Sequence, residues 1–262
     1  GGVGGEAGGL RARREHGRGV VSVDSSGDRL HRRGHKEAVN GAAMRETMAG
    51  LFLRQGGYDG QGRGFEPRCG SGTFILEAAE SAARLNPGRS RRFAFELLRT
   101  FDEDAWARMR AVRSERQPLV HFYGSDRDAG AVSMSRANAE RAGITAFASF
   151  RQAAISEIRP PEGPPGLVIA NPPYGTRIGD KKALVPLYRA FGQTLRQHFQ
   201  GWRVAIVTTE KGLAQATGLP FLPTTAPVPH GGLTTTLHQT APIPCPAEHR
   251  RSVTVQGHSR PV

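Results

Sequence analysis

Short apolar runs alternate along the chain with segments in which apolar residues recur every three or four positions. The runs predict buried strands, and the second pattern predicts amphipathic helices. This alternation is typical of an α/β domain with a mostly parallel sheet. The predicted strands cover residues 20–23, 119–123, 167–170, 204–208 and 233–240, and the predicted helices cover about 37–53, 73–85, 129–142 and 183–199.

Both ends of the chain lack these patterns. Residues 1–19 are rich in glycine and arginine, and residues 243–262 have the same irregular, basic character. We therefore expect two disordered tails that flank one domain, at residues 20–242. A domain of this length has room for a sizeable core, since 37% of the 262 residues are hydrophobic.

Composition excludes several classes of protein. Two cysteines, Cys69 and Cys245, are too few for a disulfide scaffold. No apolar run approaches the roughly 18 residues of a membrane span, and the first residues contain no apolar stretch of the kind found in signal peptides. We expect a cytoplasmic protein without a membrane partner.

Charge points to a phosphate-bearing partner. Lysine and arginine total 36 and aspartate and glutamate total 23, which gives a formal net charge of +13. Such a field attracts nucleic acid, although a solvated basic surface would have the same composition. Nucleic acid is the preferred interpretation.

A glycine-rich turn precedes the helix predicted at residues 73–85. The segment reads Glu66-Pro-Arg-Cys-Gly-Ser-Gly-Thr73, and such a turn between strand and helix lets a ligand approach the backbone. A dinucleotide fingerprint is not complete, because Ile75 occupies the third glycine position and no acidic residue ends a strand about 20 residues later. The P-loop pattern is absent as well.

Two further motifs close predicted strands. Asp126, in Gly124-Ser-Asp-Arg-Asp128, is placed to accept both hydroxyls of a ribose, while Asp128 is a candidate helix N-cap. Asn171-Pro-Pro-Tyr174 combines an extended backbone with an amide and an aromatic ring. Carbonyl and amide oxygens there suit the two hydrogens of an exocyclic amine, and the ring suits stacking on a base.

The order CGSGT, GSDRD, NPPY resembles the class I S-adenosylmethionine (SAM) methyltransferases that modify exocyclic amines. Over residues 20–240 the chain is most similar to THUMP-associated RNA guanine-N2 methyltransferases, and within them to the bacterial 23S ribosomal RNA enzymes. The flanking segments that carry this similarity are VSVDSSG (21–27), LHRRG (30–34), RET (45–47), PG (87–88), RFAFE (92–96) and GWR (201–203).

This resemblance implies a Rossmann-like, seven-stranded, mostly parallel sheet with helices on both faces and an insertion at about residues 86–118. It also implies SAM as cofactor, RNA as partner and no metal. Asn171 and the Pro172 carbonyl would accept from the guanine amine while Tyr174 stacks on the base. The cofactor site would comprise Glu66, Cys69, Gly70, Gly72, Thr73 and Asp126.

The chain also departs from the family pattern. Glu66 stands where the family usually has aspartate, and Arg68 is an unusual neighbour of the cofactor turn. The family's acidic residue for the adenine amine should fall in residues 150–154, which contain no acid. We therefore expect weakened SAM affinity. We also expect RNA delivery to be lost or supplied elsewhere, because 19 glycine-rich residues leave no room for a THUMP module.

Two other functions stay open. An Asn-Pro-Pro-Tyr motif also serves enzymes that methylate adenine N6 in DNA or a glutamine amide in proteins. A catalytically silent RNA-binding remnant would keep the basic charge without holding SAM. The sequence does not determine the modified nucleotide or the oligomeric state.

Overall fold

The computed structural model describes residues 9–37, 44–111, 116–175, 180–230 and 232–245. Six α-helices and nine strands lie within these residues. The helices are α1 Glu46–Gln55, α2 Thr73–Ala82, α3 Glu103–Ala111, α4 Ala129–Arg141, α5 Asp180–His198 and α6 Lys211–Ala216. The strands are β1 Leu10–Glu15, β2 Arg18–Val23, β3 Gly64–Pro67, β4 Phe122–Asp126, β5 Ala148–Gln152, β6 Leu167–Ala170, β7 Arg203–Thr208, β8 Val228–His230 and β9 Leu233–Gln239.

Seven strands form one sheet in the order β5-β4-β3-β6-β7-β9-β8. Neighbours from β5 to β7 pair in parallel, whereas β9 is antiparallel to both β7 and β8. The predicted seven-stranded, mostly parallel sheet is therefore confirmed. Strand order reverses at β3, which lies between β4 and β6. Open α/β sheets bind ligands beyond the carboxyl ends of the strands at such a point.

The sheet is covered on both faces, and each face has its own apolar core. One core contains Phe52, Phe74 and Phe122 and joins α1, α2 and α4 to the sheet. The other contains Tyr188 and Phe199 and joins α5 and α6. Strands β3 and β6 are buried along their whole length. Both faces of the central strands are thus shielded, so their functional groups emerge only at the strand ends.

Several predicted bounds differ from the structure. The strand predicted at 119–123 begins only at Phe122 and continues to Asp126, and Leu119 is fully exposed. Helix α1 begins at Glu46 rather than near Glu37, and residues 38–43 lie outside the described residues. Helix α4 closes as predicted, with Gly143 at φ +69°. Across the described residues, no helix has the length and apolarity needed to cross a membrane.

The tail predicted at residues 1–19 is wrong for residues 10–19. Residues Leu10–Glu15 and Arg18–Val23 form an antiparallel hairpin with His16 and Gly17 at its tip. The strand predicted at residues 20–23 lies within β2, whereas β1 was not predicted, because its sequence LRARRE is mostly charged and has little apolar periodicity to indicate a strand. At the other end, Ile243 is buried and its backbone N–H donates to the Trp202 carbonyl. Residues 1–8 and 246–262 lie outside the described residues.

Candidate active site

The three sequence motifs meet at the carboxyl edge of the sheet, because β3, β4 and β6 are parallel neighbours. The glycine-rich turn follows β3, Asp126 is the last residue of β4, and Asn171 directly follows β6. Since adjacent strands are only about 4.8 Å apart, motifs that are distant in sequence become neighbours at the point where strand order reverses.

The glycine-rich turn depends on two left-handed glycines, Gly70 at φ +55° and Gly72 at φ +78°. A Cβ atom at Gly72 would lie 3.1 Å from the Ser135 hydroxyl oxygen and 3.2 Å from the Phe150 ring, so packing as well as backbone conformation favours glycine there. At Gly70 a Cβ atom would have no neighbour within 4 Å. Side chains therefore pack closely against the turn at Gly72, whereas the space beside Gly70 is open.

Asp126 is joined directly to that turn. Its side chain is buried, with 5% exposure, and Oδ2 accepts from the Gly70 backbone N–H at 3.2 Å. Oδ1 accepts from the Asp128 N–H at 3.1 Å. Asp128 itself caps α4 by accepting from the Gly130 N–H at 3.0 Å, as predicted. Each Asp126 oxygen receives one backbone donor, which leaves acceptor capacity on both for a ligand.

Glu66 lies beneath the turn. Its carboxylate is buried and accepts from the Ile75 N–H at 3.4 Å in the first turn of α2. Burial raises the pKa of Glu66 well above its ordinary value, and Asp126 adds repulsion that the Ile75 N–H partly offsets. This geometry makes Glu66 a support for the turn and the start of α2.

Cys69 and Thr73 are buried at the same turn. Burial raises the pKa of the Cys69 thiol, and its sulfur lies 3.5 Å from the Ser135 hydroxyl. The Thr73 hydroxyl lies 3.3 Å from that of Ser71. Of the predicted cofactor residues, Gly70 and Asp126 therefore carry the open part of the site, while Glu66, Cys69 and Thr73 form its support.

Asn171 presents a buried acceptor without a partner. No described residue donates a hydrogen bond to its Oδ1 atom. The following backbone is held in place by Tyr188, whose hydroxyl donates to the Pro173 carbonyl at 3.2 Å. Burial raises the pKa of Tyr188 to about 12, so this donor keeps its proton at neutral pH. Tyr174 is half-buried against the α5 core.

Some supporting residues were missed by sequence reasoning. Lys36 donates from Nζ to the Met44 carbonyl at 2.8 Å and to the Thr73 hydroxyl at 3.3 Å. Asn138 donates from Nδ2 to the Ser71 carbonyl at 3.0 Å. A lysine far along the chain from the turn and an asparagine within a helix give no sequence signal for these contacts.

Residues 150–154, which contain no acidic side chain, form the end of β5 and the start of the loop after it. Gln152 donates to the Arg127 carbonyl at 2.9 Å, and the Ala154 N–H donates to the Glu157 carboxylate at 3.1 Å. A cavity of about 130 Å³ adjoins this segment, and Arg68, Arg127 and Ala154 contribute to its lining. A carboxylate is thus present here, three residues later in the chain than the family pattern predicts.

Arg68 adopts φ +90°, a value that L side chains rarely take. Its backbone N–H donates to the Ser125 carbonyl, and so does that of Cys69. Separately, across the described residues, no three or more His, Cys, Asp or Glu side chains gather where a metal ion could be held.

Comparison with known proteins identifies the domain. The model of the family described as "RMKL-like, methyltransferase domain" matches residues 33–224. The ribosomal RNA large subunit methyltransferase K/L of Chromohalobacter salexigens is 38% identical over 223 residues, which cover 80% of this chain and 30% of that relative. The chain thus spans less than a third of the length of this curated relative.

Similar solved structures are methyltransferases as well. A possible methylase from Clostridium difficile 630 superposes with a TM-score of 0.79 at 29% identity, over 93% of this chain and 64% of that one. SMU.472, crystallised in complex with SAH, gives 0.74 at 27% identity, over 89% and 61%. The predicted class I methyltransferase fold is confirmed, and the chain belongs to the family of RMKL-like methyltransferase domains.

Proposed function

We propose that this domain transfers a methyl group from SAM to an exocyclic amine in RNA, and specifically to N2 of guanine in 23S ribosomal RNA. One observation carries the proposal: Oδ1 of Asn171, which is buried and accepts from no described residue, lies at the same sheet edge as the Gly70 turn and Asp126. A buried acceptor without a partner is costly, and an amine N–H would satisfy it.

The residues present fit a nucleoside cofactor. Asp126 retains acceptor capacity on both carboxylate oxygens, which suits the two hydroxyls of a ribose. Gly70 leaves open space above the turn, so a bulky group can approach the backbone there. When bound, SAM supplies an electrophilic methyl group on a sulfonium centre.

The base site relies on position and polarisation. Asn171 Oδ1 and the Pro172 carbonyl accept the two hydrogens of the amine, which draws its lone pair out of conjugation with the ring. Tyr174 stacks on the base and fixes its plane. Methyl transfer is then governed mainly by the alignment of the reacting atoms. The amine nitrogen becomes cationic when it accepts the methyl group and loses a proton only afterwards, so the site requires no dedicated base.

Two facts support RNA as the substrate. The similar Chromohalobacter protein is named a ribosomal RNA methyltransferase, and the net charge of +13 favours a polyanion. Guanine N2 rests on the flanking segments at residues 21–34 and 87–96. The proposed domain comprises the predicted residues 20–242, extended at its start to residue 10 because β1 pairs with β2, and residues 86–118 form an insertion.

Calorimetric titration with SAM tests the cofactor site. We expect the wild-type chain to bind SAM, Asp126→Asn to weaken binding by at least about tenfold, and Asp128→Asn to leave it nearly unchanged. The two variants lose the same charge two residues apart, so equal losses would overturn the assignment of Asp126. A folded chain that binds no SAM would indicate a silent RNA-binding remnant.

Transfer of a labelled methyl group into unmodified 23S ribosomal RNA tests the base site. We expect Asn171→Ala to lower turnover by about 100-fold or more, the usual loss for a precisely placed polar group, while SAM affinity is kept. Digestion and mass spectrometry should then identify N2-methylguanosine. N6-methyladenosine in the digest would replace guanine with adenine as the substrate base, and an active enzyme that labels DNA or a protein glutamine but not this RNA would replace the proposal with one of the alternative amine substrates.

A further inference from the structure

A second concave surface lies within the inserted segment, away from the active site. We call it the insertion groove. Its volume is about 540 Å³, and it is lined by Asn86, Gly88, Arg89, Phe93, Trp106, Met109, Arg110 and Ala111.

The insertion groove is at the opposite end of the sheet from Asp126. Helix α2 begins at Thr73 beside the cofactor turn and leads away over ten residues, about 15 Å at the usual rise of a helix. After the insertion, Arg116 donates to the Gly60 carbonyl, which lies just before the first residue of β3. The groove is therefore a separate surface at the amino edge of the sheet.

Aromatic rings form one wall of the groove. Phe93 and Phe95 stack with centroids 5.3 Å apart and an interplanar angle of 21°. Trp106 lies edge-on to both, at 5.8 and 4.9 Å. Gly88 permits this packing, because a Cβ atom there would lie 2.8 Å from Phe93 Cζ. The wall is thus held by ring-to-ring contacts.

Two polar side chains at the groove, those of Trp106 and Arg110, have hydrogen-bonding capacity that no described residue uses. Trp106 Nε1 is buried and donates to no described residue. Among the described residues that line the groove, none is acidic. Arg89 is paired with Glu80, whereas Arg110 donates only to the Arg89 carbonyl and has no carboxylate partner within the described residues. Arg110 also lies 5.8 Å from the Trp106 ring centre, and Met109 is 66% exposed beside it.

We propose that the insertion groove binds an unpaired nucleobase of single-stranded RNA, with Arg110 contacting the adjacent phosphate. Aromatic rings next to an arginine that has no carboxylate partner among the described residues match the way in which single strands are bound without sequence readout. The described lining contains arginine and no acid, which favours a polyanion over a basic protein segment. The inference rests on the proposed function for the choice of RNA, but not on methyl transfer.

Tryptophan fluorescence offers a direct test on the full chain. Trp106 lines the groove, whereas the second tryptophan, Trp202, is only 2% exposed. Titration with a short single-stranded oligouridylate should quench the emission of Trp106 and protect it from acrylamide. Trp106→Leu should abolish the quenching. Emission that does not change while the labelled oligonucleotide binds would overturn the proposal.

Fluorescence anisotropy with the same labelled oligonucleotide tests Arg110 against a matched control. Arg108 lies on the same helix but does not line the groove. We expect Arg110→Ala to weaken binding by about five- to tenfold, and Trp106→Leu by about fivefold or more. Arg108→Ala should change it less than about twofold. Equal losses at Arg108 and Arg110 would mean that α3 acts only as a diffuse basic surface.

Calorimetry with SAM separates this inference from the proposed function. Arg110→Ala and Trp106→Leu should bind SAM as the wild type does, which also shows that they are folded. If no RNA is methylated but the quenching persists, the proposed function fails and the groove stands. If methylation occurs and the groove variants bind and methylate RNA normally, the groove fails alone.

Discussion

The ammonium group of Lys36 lies 3.4 Å from the carboxylate of Glu46, and both side chains are buried, with 5% and 6% exposure. Lys36 also donates to the Thr73 hydroxyl at the start of α2. The pair therefore joins the segment before α1 to the cofactor turn, and a buried charge pair of this kind is costly to break from one side.

Lys36→Met should lower the free energy of unfolding by about 3–5 kcal/mol, because it leaves the Glu46 carboxylate buried without its partner. Urea denaturation measures this change. Lys36→Met combined with Glu46→Met should recover most of the loss. A double variant as unstable as the single one would show that the charge pair is not the source of the stability.

His35 and Glu80 form a second buried pair, with Nε2 3.1 Å from Oε1. Burial raises the pKa of Glu80 to about 7, with Arg89 opposing the rise. A raised folded-state pKa adds stability below the unfolded value of 4.5, and this stability is lost as the pH rises through about 7. Burial lowers the pKa of His35 to about 4. That contribution is present above 6.5 and is lost as the pH falls through about 4.

Between pH 4 and 7 the two contributions have opposite slopes. Relative to wild type, Glu80→Gln should therefore gain stability as the pH rises, and His35→Gln should lose it, each on the order of 2 kcal/mol across the window. Urea denaturation at a series of pH values supplies both differences. Slopes of the same sign in the two variants would contradict this account.

Gly124 is required by the packing of β4 on β5. A Cβ atom there would lie 2.4 Å from Cδ1 of the buried Phe150 ring. We expect Gly124→Ala to cost about 1–3 kcal/mol of unfolding free energy, as overpacking does, and to lower SAM affinity because Asp126 is two residues away. Gly212→Ala is the control, since its Cβ meets no atom within 4 Å and alanine favours α6 by about 1 kcal/mol. Thermal denaturation measures both variants, and equal changes in melting temperature would show that a clash with Phe150 does not determine the effect of Gly124→Ala.

Glu157 is the acidic side chain found beside the stretch at residues 150–154. If it accepts from the adenine amine, Glu157→Ala should weaken SAM binding by up to about tenfold, the scale of a charge-assisted hydrogen bond. Glu162→Ala, an exposed acid farther along the loop, should leave it unchanged. Calorimetry decides the point. Unchanged affinity in Glu157→Ala would retain the expectation that the cofactor site lacks an acid there.

Strands β6 and β7 could be predicted from the sequence because buried parallel strands are continuous apolar runs. Strand β5 was not predicted, because its burial alternates and its residues include Arg151 and Gln152. Helix α3 was not predicted for another reason: none of its residues is buried, and its two large apolar side chains, Trp106 and Met109, stand among charged ones. Strand β3 is buried but short, and its flanking glycines and arginines obscure it.

Some residues of the candidate site could also be predicted from the sequence, and others could not. The backbone turn at Gly70 and Gly72 and the strand-end Asp126 could be found because their spacing follows from the fold. Lys36 could not, because its role depends on a tertiary contact with Glu46 that no local pattern reveals. That no described residue donates to the buried Asn171 Oδ1 likewise becomes visible only in the structure.

Strand β9, which is antiparallel to both of its neighbours, also determines how the described seven-stranded sheet ends. Because β9 is inserted between β7 and β8, the outermost strand on that side is only three residues long and has Pro229 at its centre. Proline removes the backbone donor that an incoming strand would need, and a short edge offers little to pair with. That margin of the domain is therefore protected against the strand-to-strand association that begins aggregation.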